Sequence, residues 1–496
     1  MPSGSARRPP AVRPAAVYAT VYATVVMSNL DLFVVNVALP DIGRGFHGTG
    51  LSLLSWVLNA YAIVFAALLV PAGRLADRRG RRLGFLAGLA LFTGSSVLCA
   101  AAPSAGWLIA ARVLQAVGAA ALLPTSLALL LEITPAQRRG RVVRAWSAIG
   151  GVSAALGPVA GGLLVQADWR WVFLINVPVG LAALAAGIRV LPRDGAQPGP
   201  RPDLLGALLL TAAIAGLALG LVQGGAWGWG SARITGCLAA APVLLGLFLA
   251  RSARHRAPVI ELPMLRVGAF GAATVATLLF AVCFAGMILS TSLWCQDAWG
   301  YSPLRTGLAL APGPLMVPPL AAAAGPLGRR FGQGPVAALG NLLFGAGLLY
   351  MGLRAGFAAD YPAELLPGFL IGGVGVGLAL PTLTAAGATA LPPERLATGT
   401  GILTMTRQIG AVLGVAVAVL VTGSPRSAQA TETAFRHGWY AMAGFGALAA
   451  LASLAVRRRH SEAGTGAGAA APAADPAHQA TDDAALAVRA GGPGAG

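Results

Sequence analysis

The sequence contains no lysine; its 35 Lys-plus-Arg residues are all arginine, against 17 Asp and Glu. That absence excludes two chemistries. A Walker-type phosphate loop needs a lysine on the nucleotide phosphates, and a Schiff-base cofactor needs a lysine amine. Charge of either sign is scarce, at 10% of 496 residues, where soluble domains carry about 25%. The four cysteines, Cys99, Cys237, Cys283 and Cys295, are scattered mostly in apolar runs without a C-x-x-C. They read as small buried hydrophobes rather than disulfide or metal ligands. The five histidines lie far apart and form no ligand cluster. No paired carboxylates or nucleophile constellation appears, and the polar connections are too short to hold a catalytic domain. A membrane enzyme or receptor is therefore the weakest reading, and no metal or organic cofactor is expected.

What is present is apolar: 56% of the chain is hydrophobic. A spanning helix needs about 20 mostly apolar residues. Fourteen such runs fall near 17–40, 53–73, 83–102, 107–131, 142–165, 171–191, 204–223, 232–250, 269–292, 304–325, 334–354, 364–387, 398–422 and 438–456. Glycine and proline inside them argue less against helix in lipid than in water. The net charge of +18 is read as a topology signal, not as a nucleic-acid footprint. Arginines gather before the first run (Arg7, Arg8, Arg13), and after the second (Arg74, Arg78, Arg79, Arg81, Arg82) and fourth (Arg138, Arg139, Arg141). They gather again after the sixth (Arg193, Arg201), eighth (Arg251, Arg254, Arg256), tenth (Arg329, Arg330) and last (Arg457 to Arg459). The opposite connections are poorer, with Arg44, Arg170 and Arg354 as examples. The positive-inside rule then places both termini in the cytoplasm. The first apolar run is too long for a usual signal-peptide core, so it is read as a retained helix. The stretch after His460 is rich in Ala, Gly, Pro and Asp, lacks apolar periodicity, and reads as disordered.

Two short stretches repeat. "GRLADRRG" (Gly73 to Gly80) follows the second run and "GPLGRRFG" (Gly325 to Gly332) the tenth; both read Gly-x-Leu-x-x-Arg-x-Gly. The spacing points to a duplicated six-helix bundle with an inserted helix pair, and two such bundles meeting at a midplane cavity form a transporter architecture. The expected organisation is a cytoplasmic tail (1–16), a first bundle (17–191), a linker with two extra spans (192–265), a second bundle (266–457) and a disordered cytoplasmic tail (458–496).

The polar residues inside the spans carry the chemistry. "MSNLDLFVVNVALP" places Asp31 about halfway along the first run, on one face with Thr20, Thr24 and Ser28, within about 80° on a helical wheel. A polar stripe on an apolar helix faces a cavity rather than lipid. Asn36, about 140° away, is expected to bond a neighbouring helix. In "RVLQAVGAA", Arg112 and Gln115 share a face. A buried arginine keeps its proton and serves as a fixed charge for a carboxylate or water chain. In "GRLADRRGRR", Gly73 and Gly80 permit a tight turn and close helix approach. Asp77 there pairs either with an arginine or with the N-terminal dipole of a facing helix. In "GGVSAALGPVAGG", Gly150, Ala154, Gly157 and Gly161 lie within about 60° of one another, a stripe for close helix contact. Pro158 should bend that helix. Trp56, Tyr61, Trp146 and Trp294 are candidates for stacking a planar ligand, with Arg407 the clearest buried charge of the second half. Trp227 and Trp229 are placed at the membrane interface.

These stretches resemble known motifs. "GRLADRRGRR" resembles the signature loop of the major facilitator superfamily, and "RVLQAVGAA" its fourth-helix motif, with Ala116 where glycine is usual. "ALGPVAGG" resembles the fifth-helix motif of its antiporters. "LDLFVVNVALP" resembles the first-helix motif of the fourteen-span drug:proton antiporter family, with Phe33 in place of the usual threonine. "WRWVFLINVPVG", "GYSPLRTG" and "RQIGAVLGVA" resemble further stretches of that family. The resemblance covers about residues 17 to 457.

The resemblance implies an all-α integral membrane protein of the major facilitator fold, with two six-helix bundles plus two inserted helices, fourteen spans in all. It implies multidrug or antibiotic efflux from the cytoplasmic membrane by alternating access, with protons as the coupling ion. Asp31 and Arg112, with Gln115 beside them, then carry proton coupling. Gly73, Asp77, Arg78, Gly80 and Arg81 form the cytoplasmic gate. Gly157, Pro158, Gly161 and Gly162 form the antiporter hinge. The expected partners are the lipid bilayer, protons and a small hydrophobic drug or antibiotic; the protein is expected to be monomeric, to bind no nucleic acid and to resist drugs by export. No second mid-membrane carboxylate is visible in the second half, where Asp297 and Glu364 lie near span ends, so dications are disfavoured cargo. Proton-driven uptake on the same fold is the alternative, opposed by the fifth-helix motif and the inserted pair.

Overall fold

The computed structural model describes residues 14–46, 49–192, 200–392, 395–423 and 427–456. The tail arginines Arg7, Arg8, Arg13 and Arg457 to Arg459, Arg193 and the stretch after His460 lie outside the described residues. Among the described residues fourteen long helical elements follow one another: α1 Pro14–Gly45, α2 Leu51–Arg79, α3 Arg81–Ala100, α4 Ala105–Glu132, α5 Ala136–Val165, α6 Trp171–Val190, α7 Leu204–Trp227, α8 Ala232–Arg254, α9 Gly268–Ala298, α10 Pro303–Phe331, α11 Gln333–Arg354, α12 Leu366–Thr389, α13 Leu396–Thr422 and α14 Ala428–Leu454. Twelve of them have both the length and the apolar composition to cross a membrane. The other two are α5, of 30 residues, and α14, of 27.

Those two elements begin several residues before the apolar runs that reveal them. In α5 the helix opens on the arginine-rich "AQRRGRVVR", leaving Leu156–Val165 as its apolar stretch. In α14 the Ser427 hydroxyl accepts from Ala430 N and starts the helix upstream of the apolar run. Hydropathy marks where a helix meets lipid, whereas backbone hydrogen bonding carries it on through polar residues. α1 likewise continues past Pro40 to Gly45.

The helix pairings repeat across the chain. In the first half α1 packs on α5 and α6, α2 on α4, and α3 on α4 and α6. In the second half α9 packs on α13 and α14, α10 on α12, and α11 on α12 and α14. Each pairing of the first half thus recurs with both element numbers raised by eight. α7 and α8 pack on each other, and α7 lies against α2 and α13.

Backbone detail repeats as well. Gly80 and Gly332 close the two copies of the repeated stretch with φ of 105° and 96°, a region costly for any residue with a Cβ. Gly88 and Gly340, each eight residues further on, mark matching close helix crossings. A Cβ on Gly88 would meet Gly118 O of α4 at 2.9 Å, and one on Gly340 would meet Gly375 O of α12 at 2.8 Å. Helices in lipid gain little from burying apolar surface, so such close backbone contact is what holds them together.

The halves meet along α2–α13 and α5–α10. At the arginine-poor end a Cβ on Gly162 of α5 would stand 2.7 Å from Leu304 Cα of α10. There Gln296 of α9 also donates to Val37 O of α1 at 2.9 Å. Cys99, Cys283 and Cys295 are buried and unpaired, and no group of ligand-type side chains able to hold a metal occurs among the described residues.

The packing yields a first prediction. Gly118→Val and Gly375→Val, whose new Cβ atoms would lie 2.6 Å from Phe92 N and 2.5 Å from Phe344 N, each cost about 1–3 kcal/mol through overpacking. Gly94→Val and Gly246→Val, with open space around them, leave the melting temperature in detergent nearly unchanged. Equal losses at all four positions would refute close backbone contact as the stabilising feature.

Candidate functional site

Asp31 lies near the middle of α1 and is 2% exposed. Its stripe-mates do not solvate it. The hydroxyls of Thr20, Thr24 and Ser28 donate to carbonyls of their own helix: Ala16 O at 2.8 Å, Val21 O at 2.8 Å and Val25 O at 3.3 Å. The carboxylate is held by other helices. Arg112 Nη1 donates to Oδ2 at 2.5 Å. Gln115 Nε2 donates to Oδ1 at 3.1 Å, and Asn176 Nδ2 to the same oxygen at 2.9 Å.

The partners are themselves secured. Arg112 Nη1 also reaches Gln115 Oε1 at 2.5 Å, and Nε donates to Val57 O of α2 at 3.2 Å. The guanidinium stacks on the Tyr61 ring, 4.1 Å from its centroid. Ser96 Oγ of α3 accepts from Gln115 Nε2 at 2.9 Å and from Asn176 Nδ2 at 3.4 Å. Five helices of the first half, α1, α2, α3, α4 and α6, therefore converge on one balanced ion pair. Breaking such a pair by removing one partner leaves an uncompensated buried charge, at a cost of about 3–5 kcal/mol.

Asp31, Arg112 and Gln115 thus meet as a cluster. Asn176 and Ser96 complete it, and reading the sequence did not single them out. The signal was an asparagine inside "VFLINVPVG": an amide in an apolar run must find a polar partner. Asn36 behaves otherwise than expected. Its amide donates to Leu32 O of its own helix at 2.9 Å, so the helix itself satisfies it. The contact with a neighbour runs through its carbonyl, which accepts from Ser292 of α9 at 3.4 Å.

The glycines of α5 divide between two neighbours. Gly157 lies against the Phe33 side chain of α1, and a Cβ on Gly161 would stand 2.8 Å from Val34 O. Gly162 faces Pro303 and Leu304 of α10, and the carbonyl of Pro158 lies against Gly307. The motif therefore bridges α1, two and three residues past Asp31, to the contact between the halves. Phe33, the departure from the family pattern, fills the space above Gly157.

At the arginine-rich end, Asp77 pairs with Arg81, Nε to Oδ1 at 2.8 Å, with both side chains partly exposed. Of the two partners left open for Asp77, the structure holds the arginine. A Cβ on Gly73 would meet Pro124 Cβ of α4 at 3.2 Å, and Arg78 is half-buried at the end of α2. Arg74 ties α2 to the segment after α8, donating to Pro258 O at 2.6 Å and to Glu261 at 3.2 Å.

The aromatic candidates do not form one group. Tyr61 and Arg407 line a common cleft with Ser28, Asn29, Phe65 and Gln408. Trp56 is half-buried against the apolar core and is not among the lining residues. Trp146 bonds Ser126 Oγ of α4 through Nε1 at 3.0 Å. Trp294 is fully buried elsewhere, its ring 5.3 to 6.5 Å from those of Phe435, Phe357, Trp439 and Trp299. These three tryptophans are not among the residues that line the cleft with Arg407. Trp227 and Trp229 are exposed, at 37% and 49%.

Comparison with known proteins agrees with this architecture. The Major Facilitator Superfamily description matches residues 21–204 and 274–488. The chain is 35% identical over 432 residues to the "Probable actinorhodin transporter" of Streptomyces coelicolor, covering 84% of this chain and 74% of that protein. It is 34% identical over 421 residues to the "Tetracenomycin C resistance and export protein" of Streptomyces glaucescens, covering 84% and 78%. It is 36% identical over 397 residues to the "Multidrug resistance protein Stp" of Mycobacterium tuberculosis, covering 79% and 72%. Among solved structures, a peptide transporter of the POT family in complex with sulfate superposes with a TM-score of 0.66 at 17% identity, covering 90% of this chain and 95% of that one. That likeness shows the fold alone.

A mutant cycle tests the ion pair. Asp31→Ala and Arg112→Ala each destabilise the protein by about 3–5 kcal/mol, and the double variant loses markedly less than their sum. Thermal unfolding in detergent reads the difference; strict additivity would mean the two groups do not interact.

Proposed function

The chain belongs to the major facilitator superfamily, and on that premise we propose that it exports a hydrophobic drug or antibiotic across the cytoplasmic membrane, driven by protons that bind Asp31. It is a transporter and not an enzyme. The observation that carries the reading is a mid-span carboxylate held by three donors from two other helices, with no exposed face. Such a group is expensive to keep in a bilayer and is useful where its charge can be switched. Relatives named for export or resistance support the outward direction over uptake.

The proton acts through its effect on one ion pair. Ionised, Asp31 balances Arg112 and accepts from Gln115 and Asn176. Protonated, it offers a hydroxyl donor and one fewer lone pair, and Arg112 loses its counter-charge while its own proton stays. The guanidinium then rests on the Tyr61 face, the Val57 carbonyl and Gln115 Oε1, all of them neutral. α1 is released from α4 and α6, and α1 is also the helix on which Gly157 and Gly161 of α5 rest. Gly162 and Pro158 carry that displacement to α10, and Val37 carries it to α9. A contiguous set of packed backbones thus runs from the proton site to the contact between the halves, which is what coupling physically requires.

With the arginine-rich end in the cytoplasm, the arginine-poor end, where Gly162 meets Leu304, is the outer gate. In the conformation described it is shut. Asp77 and its arginines form the latch of the opposite gate when the halves rock the other way. Each proton moved down 100 mV supplies about 2.3 kcal/mol, roughly fifty-fold of cargo gradient. A monomer suffices, since every group in this scheme lies in one chain.

The test uses Asp31→Asn, which fixes the side chain in a neutral state, in vesicles whose content of the variant in the membrane matches wild type. In inverted membrane vesicles, proton-driven drug accumulation should fall to background while downhill exchange of the same drug persists. Undiminished uphill transport by this variant would sink the assignment.

A further inference from the structure

Arg407 lies within the span Thr398–Thr422, on α13 of the second half. It lines the cleft shared with Ser28, Asn29, Tyr61, Phe65 and Gln408. Unlike Arg112, it makes no hydrogen bond or ion pair with any described residue. No carboxylate lines the cleft. Asp31, three residues past Ser28 on α1, cannot serve in this conformation, because Arg112, Gln115 and Asn176 engage both of its oxygens.

A guanidinium cannot shed its charge by titration, and an uncompensated one is among the costliest groups to keep inside a bilayer. Its planar fork matches a carboxylate or another delocalised oxyanion. Beside it in the lining are the Tyr61 and Phe65 side chains, stacked with ring centroids 5.9 Å apart. The Ser28 hydroxyl and the Asn29 amide nitrogen are committed to Val25 O. Gln408, which bonds no described residue, is the neutral group free to contact a ligand.

We infer that Arg407 recognises the acidic group of the cargo, so that the exported molecules are flat, mostly apolar acids whose carboxylate or phenolate docks on the guanidinium. The inference rests on the exporter reading above and narrows it to one substrate class. Tyr61 joins the two sites. One face of its ring carries Arg112, and the residue also walls the cleft, so cargo at Arg407 touches the group that covers the proton-linked ion pair.

The experiment measures transport of three probes into inverted vesicles from an efflux-deficient host expressing the full chain: pyrene-1-carboxylate, its methyl ester, and the cationic dye rhodamine 6G. The acid is expected to be carried at least tenfold faster than the ester or the dye. Arg407→Gln should cost the acid at least tenfold more than it costs the ester. Arg407→Lys, which keeps charge but not the fork, should fall between wild type and Arg407→Gln, so a variant that fails to fold does not decide the matter alone. Preference of the wild type for the ester or dye, or parallel loss of acid and ester in Arg407→Gln, overturns the inference. A wild-type protein that moves none of the three but still protects the host from a drug panel overturns the inference and leaves the exporter reading standing; one that does neither sinks both.

Discussion

A charge in the bilayer interior must be matched, and the first half of this protein is arranged around matching one. Asp31 brings a carboxylate into α1, and that single residue dictates an arginine on α4, amides on α4 and α6, and a hydroxyl on α3. A buried ion pair adds little net stability over well-packed apolar residues. Its presence therefore does not follow from folding alone, and the proposed role, in which the charge changes, would account for it.

Around that centre the scaffold is built from backbone contacts. Water drives no helix association in lipid, so crossings such as Gly88–Gly118 and Gly340–Gly375 supply dispersion contact that bulkier residues would forbid. Between the halves the same device appears, with Gly162 on Leu304 and Gly307 on Pro158. Contacts without interlocking side chains can separate and re-form without rotamer changes, which suits a gate.

Much of this was legible in the sequence because lipid makes sequence informative. The spans showed as apolar runs, and the repeated Gly-x-Leu-x-x-Arg-x-Gly foretold matching glycine turns at Gly80 and Gly332. Asp31, Arg112 and Gln115 stood out because charge and amide are rare there. What stayed hidden depended on rotamer or on distance in space. Asn176 announces a need for a partner but not which one. Asn36 met its need within its own helix. Trp294 looked like a cargo-stacking residue, yet only the three-dimensional neighbourhood reveals four other aromatic rings around it. The starts of α5 and α14 were lost because polar residues extend a helix without any hydropathy signal.

The duplicated halves did not keep identical contents. The pairing scheme survives in both, but among the described residues the buried, matched carboxylate network lies in the first half, while the second contributes the arginine of the cleft. On the proposed reading, the charge that recognises cargo and the ion pair that takes up the proton thus sit in different halves. On that reading, a substitution at Arg407 or Gln408 would change what is carried while the ion pair of the first half stays intact.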